Sequence, residues 1–549
     1  MLSVAFVLNA CTQDKALETP NVENPVLMLR LSMQNTSSEE VWAQTYSILT
    51  QNPGCCDEVW FSTGTGMPDM QVHRDHVSRL VKAKEALREL GIGSSLQIQM
   101  TIGHGDQMGM EQEWDAKTWT GWTGSTGVED KFCNCPRQVR YLDYIRTMTR
   151  LYAQIHPHTL WIDDDLRYDN HIPATYDSRI GCWCATCLAA FSTEEGKDWT
   201  REALDSAMDG DEQLAERWKA FSIESLRRIA QVIAEETKAV SPETRMGYQK
   251  TFWDGDTTVV RAVLQTLAQV SGRRVAYRAG GGAYYDKLHP AEQIIKSMDA
   301  ARFMRVLGNP EYVESWCPEI ESWPRHYGSR TAQAVLLEAF TGLAYGMDAV
   351  SMFVIDSGQE EADLQARSML FPLADGAPML RSYAQANRGT EAVGYRTSQD
   401  NYALYEFGTL GIPILPGNGR SLGMLEGDNL KPVNIYSQPS SAVQDVRCQM
   451  DAQSPAPVLC QSPFVGLLIP RVTADGTLRT IGLLNGRIDE QGPLRLSLRS
   501  LPQGVRSVVW HQLRRKPLRL DVLYGAQGES YIEIPSLSAW NAGFVEIPL

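Results

Sequence analysis

No segment of this 549-residue chain reaches the roughly 20 consecutive apolar residues that an α-helix needs to cross a bilayer. Positive charge is in deficit. The 51 Lys and Arg against 66 Asp and Glu leave a formal net charge of −15, which repels a polyanion and argues against nucleic acid as a partner. The chain has no dinucleotide fingerprint: Gly280-Gly281-Gly282 lacks the GxGxxG spacing and follows a late strand instead of opening a βαβ unit. Nor is there a His-x-His pair at the first strand, where a metal-dependent amidohydrolase would carry one and this sequence reads Leu29-Arg30-Leu31-Ser32-Met33. Cysteine is sparse, odd in number at 11 and unevenly spread, which does not suit a disulfide framework. What remains, 43% apolar residues with 14 Trp and 20 Tyr, is the make-up of a folded protein too long to be one small module.

A short apolar run at residues 1–10 (MLSVAFVLNA) ends at Cys11, and a polar stretch follows up to about Asn24. Leu8-Asn9-Ala10-Cys11 reads as a bacterial lipoprotein processing site with Cys11 taking the lipid, although the basic region that should precede it is missing. The expectation is an exported protein, periplasmic or held at the outer membrane by a lipid anchor at Cys11.

From about residue 26, short apolar runs alternate with longer stretches of helical periodicity, the pattern of a parallel sheet wrapped by helices. Eight strands are predicted, at 26–31, 58–63, 95–102, 159–163, 245–249, 273–277, 311–315 and 349–355. The last interstrand helix, 332–345, closes on Gly346. Eight βα units make a (β/α)8 TIM barrel, its largest insertion at 166–241 after the fourth strand. Beyond residue 385 short strands at 480–485, 494–498, 507–511 and 530–534 point to a β-sandwich. The expected organisation is a leader and linker at 1–23, a catalytic barrel at 24–385, a small intermediate module at 386–440 and a C-terminal β-sandwich at 441–549.

In a TIM barrel the chemistry sits at the carboxyl ends of the strands. The fourth strand ends in Trp161-Ile162-Asp163-Asp164-Asp165-Leu166-Arg167. Three adjacent acids repel one another, and like charge raises a pKa, so one of them is suited to donate a proton near neutrality. The other two are expected to be structural, bonded to backbone and to Arg167. The seventh strand supplies Glu311, Glu314, Glu319 and Glu321, interleaved with Trp316 and Trp323. Carboxylates beside indoles suit a sugar, whose C–H faces stack on the rings while its hydroxyls need acceptors. The plain alternative is an exposed acidic loop over packed tryptophans. The sixth strand ends in Tyr277-Arg278, where Arg278 is placed to hold a carboxylate of the enzyme or the substrate.

Cys182-Trp183-Cys184-Ala185-Thr186-Cys187 is a C-x-C-x-x-C motif, and Cys133-Asn134-Cys135 precedes it. Cys135, Cys182, Cys184 and Cys187 would complete a closed tetrahedral zinc site that braces the loop and leaves no position for water. Disulfides or free thiols are the alternative, and export would favour the former.

An acidic end to strand four, followed by C-x-C-x-x-C and Leu188-Ala189-Ala190-Phe191, resembles the glycoside hydrolase family 42 β-galactosidases. The resemblance implies a TIM barrel with a cysteine-ligated zinc near the catalytic acid, a middle domain and a small C-terminal β-domain. It also implies an acid/base after strand four and a nucleophile after strand seven. The family's Asn-Glu pair falls on Asp164-Asp165, which nominates Asp165 as the acid/base. Pro310-Glu311-Tyr312-Val313-Glu314 matches the run ending in the nucleophile, which nominates Glu314, with Glu319 a rival in the loop beyond. The Asp-Asp pair departs from the family: the Asn that grips the sugar 2-hydroxyl is absent and the acid is one methylene shorter. A shorter acid bears on stereochemistry, because carboxyl separations near roughly 5 Å give retention and roughly 6.5–9.5 Å inversion.

The reading is a glycosidase acting on an oligosaccharide, polysaccharide or glycoconjugate, with Asp165 as acid, Glu314 or Glu319 as nucleophile or base, and no organic cofactor. Arg167, Tyr277, Arg278, Trp316, Glu321 and Trp323 would shape the sugar pocket. The resemblance further implies a homo-oligomer. The rival reading is a non-catalytic carbohydrate-binding barrel in which the exchange of Glu for Asp marks lost activity.

Overall fold

A computed structural model describes residues 24–548, apart from 65, 104–117, 169–177, 252–256, 283, 285, 287–290, 309–310, 324, 326, 356–361, 398–409, 426–446, 449, 453 and 527. The leader and Cys11 lie outside the described residues.

The first ten strands are β1 (Leu27–Arg30), β2 (Glu58–Ser62), β3 (Gly93–Ile98), β4 (Gly121–Thr123), β5 (Glu129–Asn134), β6 (Thr159–Ile162), β7 (Arg245–Thr251), β8 (Val275–Gly280), β9 (Val313–Glu321) and β10 (Val350–Phe353). All but the β4–β5 hairpin close into one parallel barrel in the order β1-β2-β3-β6-β7-β8-β9-β10. Parallel strands are covered on both faces, and most of these barrel strands are buried along their whole length. Helices such as Met70–Glu89, Val139–Ala153, Glu212–Val240 and Ala332–Ala344 return the chain around the outside. Val139–Ala153 shows the logic: Tyr141, Ile145, Met148 and Tyr152, spaced three or four apart, are buried against the barrel. No described helix is long and apolar enough to cross a membrane.

Inside the barrel, Met28, Trp60, Trp161, Ala276, Cys317 and Ala349 form one apolar layer. The Trp60 and Trp161 rings stack with centroids 4.1 Å apart. Gly247 makes room for them, since a Cβ there would lie 2.3 Å from the Trp161 ring. An indole buried in this way removes about 150–250 Å² from water, worth about 4–6 kcal/mol at about 25 cal/mol per Å².

The seventh barrel strand departs most from expectation. It was expected to end at residue 315, and instead β9 continues to Glu321. Pro318 has no N–H to give a neighbouring strand and reads as a strand end, but here it lies inside the ladder opposite Ala279. The acids of this strand are therefore divided between the two ends of the barrel.

The C-terminal region builds a seven-stranded sheet and a four-stranded sheet around a second core that includes Val393, Val458, Leu468, Leu483, Leu496, Trp510, Ile532 and Val545. Inward apolar residues on two facing sheets, antiparallel except for one parallel pair at the edge of the larger, make a β-sandwich. The strands described within 386–440 are β11 (Thr390–Thr397) and β12 (Arg420–Leu425). They belong to the larger sheet, where β11 pairs with the strand Gly466–Thr473. Helix Ala362–Ala386 joins barrel and sandwich, with Tyr383 stacked between Phe340 and Phe544 at 4.8 and 4.6 Å.

Candidate active site

Side chains on a strand repeat their direction every second residue. Two residues beyond the Met28–Trp161–Ala276–Cys317 layer, the inward positions are Arg30, Asp163, Arg278 and Glu319, and Gln97 of β3 joins them. All five are buried. They form a closed circuit. Arg30 Nε donates to Gln97 Oε1 at 3.1 Å, and Gln97 Nε2 donates to Asp163 Oδ2 at 2.7 Å. Arg278 Nη2 reaches Asp163 Oδ1 at 3.4 Å while its Nη1 bonds Glu319 Oε1. Arg30 Nη1 donates to the same Glu319 oxygen at 3.3 Å and completes the ring. Glu319 Oε2 accepts from the Tyr284 hydroxyl at 2.9 Å and the Gly281 N–H at 3.2 Å. A Cβ on Gly280 would stand 3.0 Å from that oxygen, so the glycine run lets the backbone approach the carboxylate.

The two carboxyl groups sit in contrasting fields. Burial, reinforced by the neighbouring Asp164, pushes the Asp163 carboxyl up to about 7 against the opposing pull of Arg278 and Arg30. Glu319 has its charge met by two guanidinium groups, a hydroxyl and a backbone N–H. One carboxyl able to carry a proton at neutrality beside one held as an acceptor is a division suited to acid–base chemistry.

Other predicted residues separate by register. Arg167 binds Asp164, Nη1 to Oδ2 at 3.0 Å, and reaches the Thr251 hydroxyl at 3.2 Å. Glu321 lies at the mouth near Arg30 Nη1 at 3.9 Å and Arg325 Nη1 at 3.4 Å. Trp323 is 40% exposed there, with the Arg325 guanidinium 4.8 Å from its ring centre. Four of the expected residues lie away from this circuit. Asp165 is 0% exposed and lies on the Tyr141 side, where its charge, after those of Cys133, Tyr144 and Cys135, adds to the burial that raises the Tyr141 hydroxyl. Glu314 falls near the start of β9 and pairs with Arg245, the first residue of β7, at 2.6 Å from Nε, so it stands at the amino rim. Tyr277 and Trp316 also miss the mouth. Tyr277 is one residue out of step with Arg278 and packs outward on Phe303 and Trp316, and Trp316 binds Asp348 through its N–H at 2.9 Å.

Arg30, Gln97 and Tyr284 were missed as site residues. A sequence signal did exist for Arg30, the one polar residue of an otherwise apolar strand (LMLR), whereas Gln97 shares its strand with two serines (GSSLQI). Nothing local marks Tyr284.

Behind the acids, Cys135, Cys182, Cys184 and Cys187 are all buried, and their Sγ atoms lie within 4.8 Å of one another. Cys135 Sγ is 3.5 Å from Cys187 and 3.4 Å from Cys184. Tetrahedral ligation at about 2.3 Å per bond separates sulfurs by about 3.8 Å, so the four thiols fit a metal ion. Hydrogen bonds within the cluster pull Cys184 well below the usual thiol range, whereas burial holds Cys182, and hydrogen bonds with its neighbours hold Cys187, well above it. The guanidinium of Arg137 lies close enough for the Cys187 charge to act on it. The site ties the loop after β5 to helix Ala185–Glu195 and so braces the segment that carries the three acids.

No protein-family model matches the sequence, and no curated protein matches it. Solved structures do. The protein has the fold of the GH42 β-galactosidases. The β-galactosidase from Bacillus circulans sp. alkalophilus aligns over 95% of this chain and 99% of its own with a TM-score of 0.58 at 11% identity. A catalytic mutant of a GH42 β-galactosidase from G. stearothermophilus aligns over 95% and 98% with a TM-score of 0.56, also at 11% identity. The enzyme from Rahnella sp. R3 covers 93% and 98% at 0.53 and 11%. This GH42-like fold extends over barrel and sandwich together, whereas the sequences have diverged almost completely.

Proposed function

We propose that the protein is a glycoside hydrolase whose reacting pair is Asp163 and Glu319. The observation that carries this reading is the Arg278 guanidinium, which contacts both carboxyl groups, one from strand four and one from strand seven, at the catalytic end of a barrel shaped like that of β-galactosidases. Asp163, protonated near neutrality, delivers its proton to the glycosidic oxygen, and Glu319 attacks the anomeric carbon or activates water. Asp163 thereby takes the role first assigned to Asp165. Trp323 offers an exposed face for a sugar ring, and Glu321, Asp164 and Arg167 offer polar contacts beside it. Zinc is the metal that four cysteines at this spacing would hold, as a structural ion outside the reaction. Export with Cys11 lipidated remains part of the proposal, and mass spectrometry of membrane-extracted protein tests it.

The central experiment is a screen of aryl glycosides with the wild type, Asp163→Asn, Glu319→Gln and Asp165→Asn. Turnover of at least one glycoside, abolished in the first two variants and retained in a folded third, supports the reading. Sugar binding without hydrolysis of any glycoside would favour the non-catalytic carbohydrate-binding barrel instead.

A further inference from the structure

At the opposite end of the barrel, a cavity of about 570 Å³ opens between the amino rim and the first turn of the sandwich. Its size lies within the range of small-molecule sites, about 300–1,000 Å³. The hydrogen-bonding capacity of its wall is unevenly used. Each acid is engaged: Glu58 accepts from Trp60 Nε1 at 2.8 Å and contacts His158 at 2.7 Å, Glu314 pairs with Arg245, and Asp348 accepts the Trp316 N–H. Arg471 is spent on the carbonyls of Ala344 and Thr390. The donors left over are Arg274 and Arg388. Both are exposed at the rim, and neither side chain makes a hydrogen bond or ion pair among the described residues. Trp161, which reaches the cavity from the barrel interior and is almost fully buried, has an indole N–H with no acceptor.

Arg274 and Arg388, without a hydrogen-bond partner at the rim of a partly open cavity whose acids each already have one, call for a ligand that brings acceptors and negative charge. We infer that the amino-end cavity binds a small organic anion of about monosaccharide size through Arg274 and Arg388. Guanidinium groups recognise carboxylate and phosphate oxygens alike, so either group would serve. The site is separate from the proposed reacting pair, because the Trp60–Trp161 layer lies between them.

Titration calorimetry on the full chain tests this with three probes of similar size: D-glucuronate, glucose 6-phosphate and neutral glucose. At least one anion is expected to bind about tenfold or more tightly than glucose, and the Arg274→Ala/Arg388→Ala variant to lose about tenfold or more of that affinity. Glu319→Gln is expected to leave the affinity unchanged. Which anion binds more tightly identifies the charged group as carboxylate or phosphate. Anion affinity no better than that of glucose would overturn the inference, as would full affinity in the double variant or loss of affinity in Glu319→Gln, which would place the anion at the other mouth. Both arginines are exposed, so their removal is not expected to unfold the chain, and a melting curve checks this.

Discussion

The Asp163 and Glu319 carboxyl groups lie against opposite amino groups of the Arg278 guanidinium. A planar fork can serve two acids at once, whereas the ammonium of lysine is a single point charge. Arg278→Lys should therefore hold the net charge but lose the mutual alignment of the pair. The expected outcome is a fold preserved by circular dichroism with kcat down by about a hundredfold or more. Arg278→Ala should also lower stability by about 3–5 kcal/mol, because it strands buried carboxylates. Steady-state kinetics and chemical denaturation of the two variants separate alignment from charge, and an unchanged kcat in Arg278→Lys would remove Arg278 from the mechanism.

The raised Asp163 carboxyl sets the direction of the pH dependence. If Asp163 donates the proton, kcat/KM should fall as pH rises through about 7, where the acid ionises. Stability should move the same way. The folded state holds this proton more firmly than the unfolded chain, whose Asp titrates at about 3.9. The stabilisation is thus complete below about pH 4 and is lost as pH climbs to about 7. Asp163→Asn should remove that slope. Melting temperatures of wild type and variant between pH 4 and 8 check it, and parallel curves would show that Asp163 does not titrate in this window.

Glu314 and Glu319 share a strand but face opposite ends of the barrel. Glu314→Gln weakens one partly exposed pair with Arg245, so turnover should stay within about threefold and stability within about 1 kcal/mol. Glu319→Gln should abolish turnover. Side-by-side assays on one glycoside decide between them, and the reverse pattern would mean that the chemistry lies at the amino rim.

That pair also shows what the sequence could disclose. The eight strands were legible because parallel strands buried on both faces leave continuous apolar runs. The cysteine cluster was legible because the C-x-C-x-x-C spacing sets its thiols close together. Register was harder to read. A proline concealed the second half of β9, and shortening the strand brought Glu314 to the wrong end of the barrel. At the end of β6, three consecutive acids look alike in sequence, and the direction each faces is set by the turn in which the Leu166 N–H bonds the Asp163 carbonyl at 3.3 Å. The circuit through Arg30 and Gln97 joins residues 67 apart in sequence. No local pattern encodes a contact of that kind.

The four-cysteine cluster gives the last prediction. Buried thiols packed this closely would repel if ionised together, so a cation is what makes four thiolates compatible with the core. Purified protein should carry about one zinc per chain by elemental analysis. Cys184→Ser or prolonged chelation should lower the melting temperature by about 5 °C or more. The ion has no open position for substrate, so the loss of activity should follow the loss of folded protein. The kcat of the fraction still folded at low temperature should then be nearly unchanged. A metal-depleted protein that keeps its melting temperature but not its kcat would instead assign the ion to the chemistry.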